Sequence, residues 1–96
     1  MPRAWRDALE AARRGEIAVL SHPWGRAVPD GSRAARIVKV LCADEQRLLA
    51  WGRARGVDPR RLDHRGSLPH FDFWGDEARR VGLGGQLEAG GEGGAK

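Results

Sequence analysis

The sequence predicts a small single α/β domain: a short two- or three-stranded sheet packed by two to three helices, with a disordered C-terminal tail. Three observations lead there. Apolar residues recur at spacings of three and four at the start of the chain and again after residue 44, as on one face of a helix. Short apolar runs bounded by turn formers lie at 17–20 and 35–42, the second rich in β-branched residues, as in strands. From Gly82 onward, seven of fifteen residues are glycine, too little apolar surface to offset the entropy of ordering the chain. The expected domain is therefore 1–81 and the flexible tail 82–96.

Taken in order, residues 3–14 form the first expected helix, with Trp5, Ala8, Leu9 and Ala12 on one face and Gly15 as its stop. Residues 17–20 form a buried strand, and 22–31, with two prolines and two glycines, a loop. The second strand, 35–42, leads to Asp44, which can cap a helix over 45–55 whose buried face carries Leu48, Leu49, Trp51 and Gly52. Gly56 and Val57 read as a Schellman stop, and Asp58-Pro59 restarts a short helical turn. Residues 71–74 supply a third short apolar piece. A last short helix over 76–81 would be capped by Gly75 or Asp76.

Composition limits the functions open to such a chain. In 96 residues, 41% are apolar and 31% charged, which suits a folded domain with a thin core. No stretch approaches the roughly 18 apolar residues that span a bilayer, so no membrane is expected. Residues 1–7 lack the continuous apolar stretch and cleavage site of a secretory signal, so none is expected, and the lone Cys42, in an apolar run, is expected to be a buried thiol. These features point to the cytoplasm. The thin core and four tryptophans also leave room for a homo-oligomer that buries a shared face.

Fifteen arginines and two lysines against thirteen acids leave a net charge of +4. The densest basic group is Arg53, Arg55, Arg60, Arg61, His64 and Arg65, interrupted by Asp58 and Asp63. Guanidinium groups bond phosphate bidentately, so this segment is the candidate binding surface for nucleic acid or another polyanion.

The chemically reactive residues concentrate just beyond it, in 63–76. His70 and Asp72 lie two apart and would share one face of an extended segment, as a histidine and its orienting carboxylate or as two metal ligands. Asp44, at a strand end that opens a helix, joins them as a catalytic candidate; ligands favour that edge of open α/β sheets. A metal would need further ligands, for which His64, Asp63 and His22 are available. Ser21 and Ser67 have no nucleophile-elbow context, and Gly82-Leu83-Gly84-Gly85 is not followed by a helix pattern, so no cofactor is expected.

The motifs Pro23-Trp24-Gly25-Arg26, Ala43-Asp44, Arg60-Arg61 and Pro69-His70-Phe71-Asp72 occur in an order that resembles the domain-of-unknown-function family 4031 of short bacterial and phage proteins, over roughly 17–83. The resemblance implies the same succession of strands and helices and no established activity. Three positions depart from the family pattern. Ser21-His22 stands where an acidic residue ends the first strand, Val40 where a histidine often precedes the second Ala-Asp strand end, and Phe71 replaces the tyrosine of a Pro-His-Tyr-Asp signature. Two functions follow as expectations: a binding or accessory module using the basic segment, or a small metal-dependent or His/Asp-dependent hydrolase-like protein using His70 and Asp72.

Overall fold

A computed structural model describes residues 3–87 of the chain. Its elements in order are α1 (Arg3–Arg13), β1 (Ala18–Ala27), β2 (Arg33–Leu41), α2 (Glu45–Ala54), a 3-10 turn at Pro59–Arg61, β3 (His70–Phe73), α3 (Gly75–Arg80) and a second 3-10 turn at Gly84–Leu87. The three strands form an antiparallel sheet in the order β1-β2-β3. The expected α/β class, with three strands and three helices, is what the chain adopts. No helix among the described residues is long and apolar enough to cross a membrane.

Position in the sheet explains how each strand reads. β2 is central, and from Arg36 to Leu41 every residue except Lys39 is buried, so its sequence is nearly continuous in apolar residues. β1 is an edge strand and runs on through His22-Pro23-Trp24-Gly25-Arg26, which the sequence assigns to a loop. An edge strand tolerates a residue without an N–H because one side of its ladder is unpaired. The two prolines therefore did not mark one continuous loop. Pro23 lies within β1, and the turn proper is confined to 28–32, where Asp30 accepts from Ser32 N and Oγ at 2.8 and 2.6 Å.

The helix ends follow capping chemistry. Asp44 accepts from Arg47 N at 3.1 Å as the N-cap of α2. At its other end Gly56, with φ +76°, allows Val57 N to reach Gly52 O at 2.9 Å and Gly56 N to reach Arg53 O at 3.1 Å, the Schellman pair. α3 differs from expectation: Trp74 is its N-cap and supplies no side-chain bond, so neither Gly75 nor Asp76 caps it.

α3 also ends in a Schellman pair, and this shortens the glycine-rich tail. Gly82, at φ +91°, lets Leu83 N bond Ala78 O at 2.8 Å, and Leu83 is only 9% exposed. Residues 82–87, counted by composition with the tail, thus include a helix stop and a 3-10 turn. The rest of the expected tail, 88–96, lies outside the described residues.

Two units divide the chain. One combines the residues up to Leu20 with Lys39–Asp72. In it Ala12, Ala18, Leu20, Leu41 and Leu68 cluster, with Trp5, Ala8 and Leu9 of α1 packed against them. Leu48 and Phe71 are fully buried, and Trp51 lies 6.3 Å from Phe71, ring centre to ring centre. The other unit combines Ser21–Val38 with the described residues from Phe73 on, and its apolar cluster is Val28, Ala34 and Ile37 with Trp24 and Trp74 packed against them. Cys42 is a buried free thiol, as its apolar context suggests.

Candidate functional site

In the first unit, three of the reactive side chains come together. Asp63 and His70 form an isolated antiparallel bridge, with Asp63 N donating to His70 O at 2.8 Å and His70 N to Asp63 O at 3.0 Å. Residues directly opposed in this way put their side chains on one face. Asp72, two residues along β3, shares that face by the alternation of a strand. Each of the three offers one ligand atom, and those atoms all lie within 4.8 Å of one another.

The orientation of the imidazole is fixed from behind. His70 Nδ1 lies 3.0 Å from the main-chain oxygen of Leu68, which can only accept, so Nδ1 carries the proton. Nε2 is thereby aimed between two carboxylates, 3.6 Å from Asp72 Oδ2 and 3.7 Å from Asp63 Oδ2. The ring is well buried, at 10% side-chain exposure, whereas Asp63 and Asp72 keep 17% and 28%.

The electrostatics of the site are balanced by neighbouring cations. Lys39 Nζ, reaching over from β2, lies 2.8 Å from Asp72 Oδ1, the oxygen away from His70. Burial alone would raise the Asp72 pKa, but the nearby His70 ring and the hydrogen bond from Lys39 outweigh it and the net shift is downward. Asp63 is held well below the ordinary carboxylate range, chiefly by the Arg65 side chain and then by Arg65 N. His70 is raised, principally by its interaction with Asp72 and against the cost of burial. Both carboxylates are thus anionic at neutral pH, and the gap between them and Nε2 favours a positive species.

That species can be a proton or a metal ion. Two ligand atoms bound tetrahedrally at about 2.1 Å are separated by roughly 3.4 Å, given ordinary Zn–N and Zn–O lengths. The observed 3.6 and 3.7 Å lie a few tenths of an ångström above this, so small side-chain rotations would seat an ion, and they are longer than a good hydrogen bond. The Nδ1 bond to a backbone carbonyl is also the usual outer support of a histidine ligand.

The remaining expected site residues are placed elsewhere or are already engaged. Asp44 is occupied as the α2 cap and is not in the cluster. His64 turns to Glu45, 2.7 Å away. In the basic segment, Arg60 bonds Asp58 at 2.8 Å and Arg65 bonds Asp63 at 2.7 Å, so two of its charges are matched within the segment. Arg55 lies over the Trp51 ring at 4.4 Å, Arg53 is exposed, and Arg61 donates to the main-chain oxygen of Asp72 at 3.1 Å. Asp63, named in the sequence only as an available extra ligand, is the third member of the cluster. The cue was the seven-residue separation of Asp63 from His70 across Gly66-Ser67, a spacing that can close a bridge.

Over 73 residues the chain is 36% identical to the uncharacterized protein YneQ of Bacillus subtilis (strain 168), an alignment that covers 75% of this chain and 71% of YneQ. The chain belongs to the YneQ family. YneQ is itself uncharacterized, so membership brings kinship and no assigned chemistry. No family model and no solved structure matches the chain.

Proposed function

We propose that the protein binds a divalent metal ion through Asp63, His70 and Asp72 and presents it to a phosphate-bearing ligand. The observation that carries this is the aim of His70 Nε2 between Asp72 Oδ2 and Asp63 Oδ2 near metal-ligand spacing, with Nδ1 tied to Leu68 O. Three protein ligands leave coordination positions for water or substrate, the arrangement of catalytic rather than structural sites. A metal there would polarise a phosphoryl oxygen or supply a bound hydroxide, which is the chemistry of a small hydrolase. Arg61 and Arg65 flank the centre and suit the anionic end of such a ligand. The likeness to family 4031 would put His70 and Asp72 inside that family's Pro-His-Tyr-Asp signature, consistent with a site at this position.

Calorimetric titration of the metal-stripped, tag-free protein with Zn²⁺ or Mn²⁺ tests the proposal. One equivalent should bind, and His70→Ala and Asp72→Asn should each abolish it while their circular dichroism stays folded. Absence of binding at millimolar metal, or binding unchanged in both variants, overturns it.

The basic segment supports a second function, binding of a polyanion such as nucleic acid without metal. Its specific support is that Arg53 and Arg55 stand exposed at the C-terminal end of α2, Arg55 held over the Trp51 ring at 4.4 Å, in the same basic segment as Arg60 and Arg65. Binding of a duplex oligonucleotide in EDTA should then weaken steeply with salt, as phosphate contacts release counterions. Salt-independent or undetectable binding rejects it.

A further inference from the structure

The second unit contains a cavity of about 230 Å³ where the start of β2 faces Trp74 and α3. Ser32, Arg33, Arg36, Trp74 and Arg79 are among its lining, and none of the described residues lining it is acidic. Three guanidinium groups around one small cavity make an anion its natural occupant.

The lining is held in place from outside. Arg36 is 8% exposed, and its Nε donates to Ser21 Oγ at 2.9 Å. Ser21 Oγ in turn donates to Gln86 O at 2.6 Å, which fixes the hydroxyl as an acceptor for Arg36. Arg33 donates to Gly25 O at 2.6 Å. Trp74 commits its indole N–H to Asp30 Oδ2 at 3.1 Å, leaving its rings as apolar wall. Arg79 has a carboxylate partner, Asp76 at 2.9 Å, but with side-chain exposures of 62% and 104% that pair is screened by solvent and easily exchanged.

We propose that this cavity binds a small organic phosphate, its phosphoryl oxygens held by Arg33, Arg36 and Arg79 and its organic part against Trp74. Size favours a small molecule over a polymer, since the volume falls below the roughly 300–1,000 Å³ of drug-sized sites. Charge favours phosphate over carboxylate, because a dianion with three acceptor oxygens matches several guanidinium forks at once. The site shares no residue with the Asp63–His70–Asp72 centre and needs no metal, so the two proposals stand or fall separately.

The experiment is calorimetric titration of the full chain in EDTA, at constant ionic strength, with glycerol 3-phosphate, inorganic phosphate and glycerate. Glycerol 3-phosphate should bind at one site and glycerate at least about tenfold more weakly, as expected when charge-assisted hydrogen bonds are lost. Arg33→Ala and Arg79→Ala, both at exposed positions, should each weaken glycerol 3-phosphate roughly tenfold or more with the unliganded melting temperature nearly unchanged. Inorganic phosphate binding as tightly as the ester would remove the organic part from the proposal. No binding at millimolar ligand, equal binding of glycerate, or equal binding by both variants overturns it.

Discussion

Asp63 and His70 face each other as a hydrogen-bonded antiparallel pair, exchanging main-chain bonds of 2.8 and 3.0 Å, so that the carboxylate and the imidazole are carried on the same face of the chain. The backbone thus enforces a convergence that sequence distance hides. It also means that Asp63 is held in place independently of the arginine that neutralises it.

Arg65 follows from that relationship as a competitor for the metal. Its side chain is 91% exposed and forked onto Asp63, so a metal ion must displace it or share the carboxylate. Exposed ion pairs of this kind are screened by solvent and weak. Arg65→Ala should accordingly tighten Mn²⁺ binding by roughly 1.5- to 5-fold in calorimetry. Weakened binding would show instead that Arg65 orients Asp63 for the metal.

Asp44 separates the structural from the chemical account of a residue that the sequence offers for both. Its carboxylate receives Arg47 N at 3.1 Å, the geometry of a helix cap. Asp44→Ala should cost about 0.5–2 kcal/mol in urea denaturation, the usual loss for an N-cap. Metal affinity of the folded variant should be unchanged; a marked fall would return Asp44 to the site.

The unequal legibility of the sequence has a physical basis in these same residues. Asp44, Gly56 and the apolar face of α2 were readable because capping and helical periodicity act over a few neighbours. The convergence of Asp72 with His70 was readable for the same reason, two residues along one strand. Asp63 was only a spare candidate because its place depends on a bridge closed around Gly66. Pro23 was misread because tolerance of a proline depends on whether a strand lies at a sheet edge, which local sequence does not carry. Leu83 was hidden by the glycines around it, although Gly82-Leu83 has the form of a helix stop.

The raised pKa of His70 gives metal-free stability a definite pH dependence. Its ordinary value is 6.5, and Asp72 favours the protonated ring in the folded state. The contribution is therefore complete below the unfolded-state pKa and is lost as pH rises through the folded one. In EDTA, thermal stability should fall across that interval above pH 6.5, and His70→Gln should flatten this part of the profile. Metal reverses the sign, because Zn²⁺ or Mn²⁺ must displace the Nε2 proton and so binds more tightly at higher pH. A stability profile in EDTA that rises over the interval would contradict the protonated pair.

The support behind the site can be probed at Gly52, on the buried face of α2. A Cβ built there would sit 3.1 Å from two ring atoms of Phe71, the residue between His70 and Asp72, and 3.5 Å from Val57 Cβ. Alanine in a helix gains up to about 1 kcal/mol over glycine. Forcing a methyl group into a packed core costs about 1–3 kcal/mol. Phe71 is fully buried and has little freedom to retreat, so the packing cost should prevail. Gly52→Ala should then destabilise the protein by up to about 2 kcal/mol in urea denaturation, the difference between those two effects. Displacing Phe71 would also shift the strand that carries both ligands, so metal affinity of the variant should drop as well. A Gly52→Ala protein more stable than the parent would show that Phe71 yields freely and that β3 does not depend on α2 for its position.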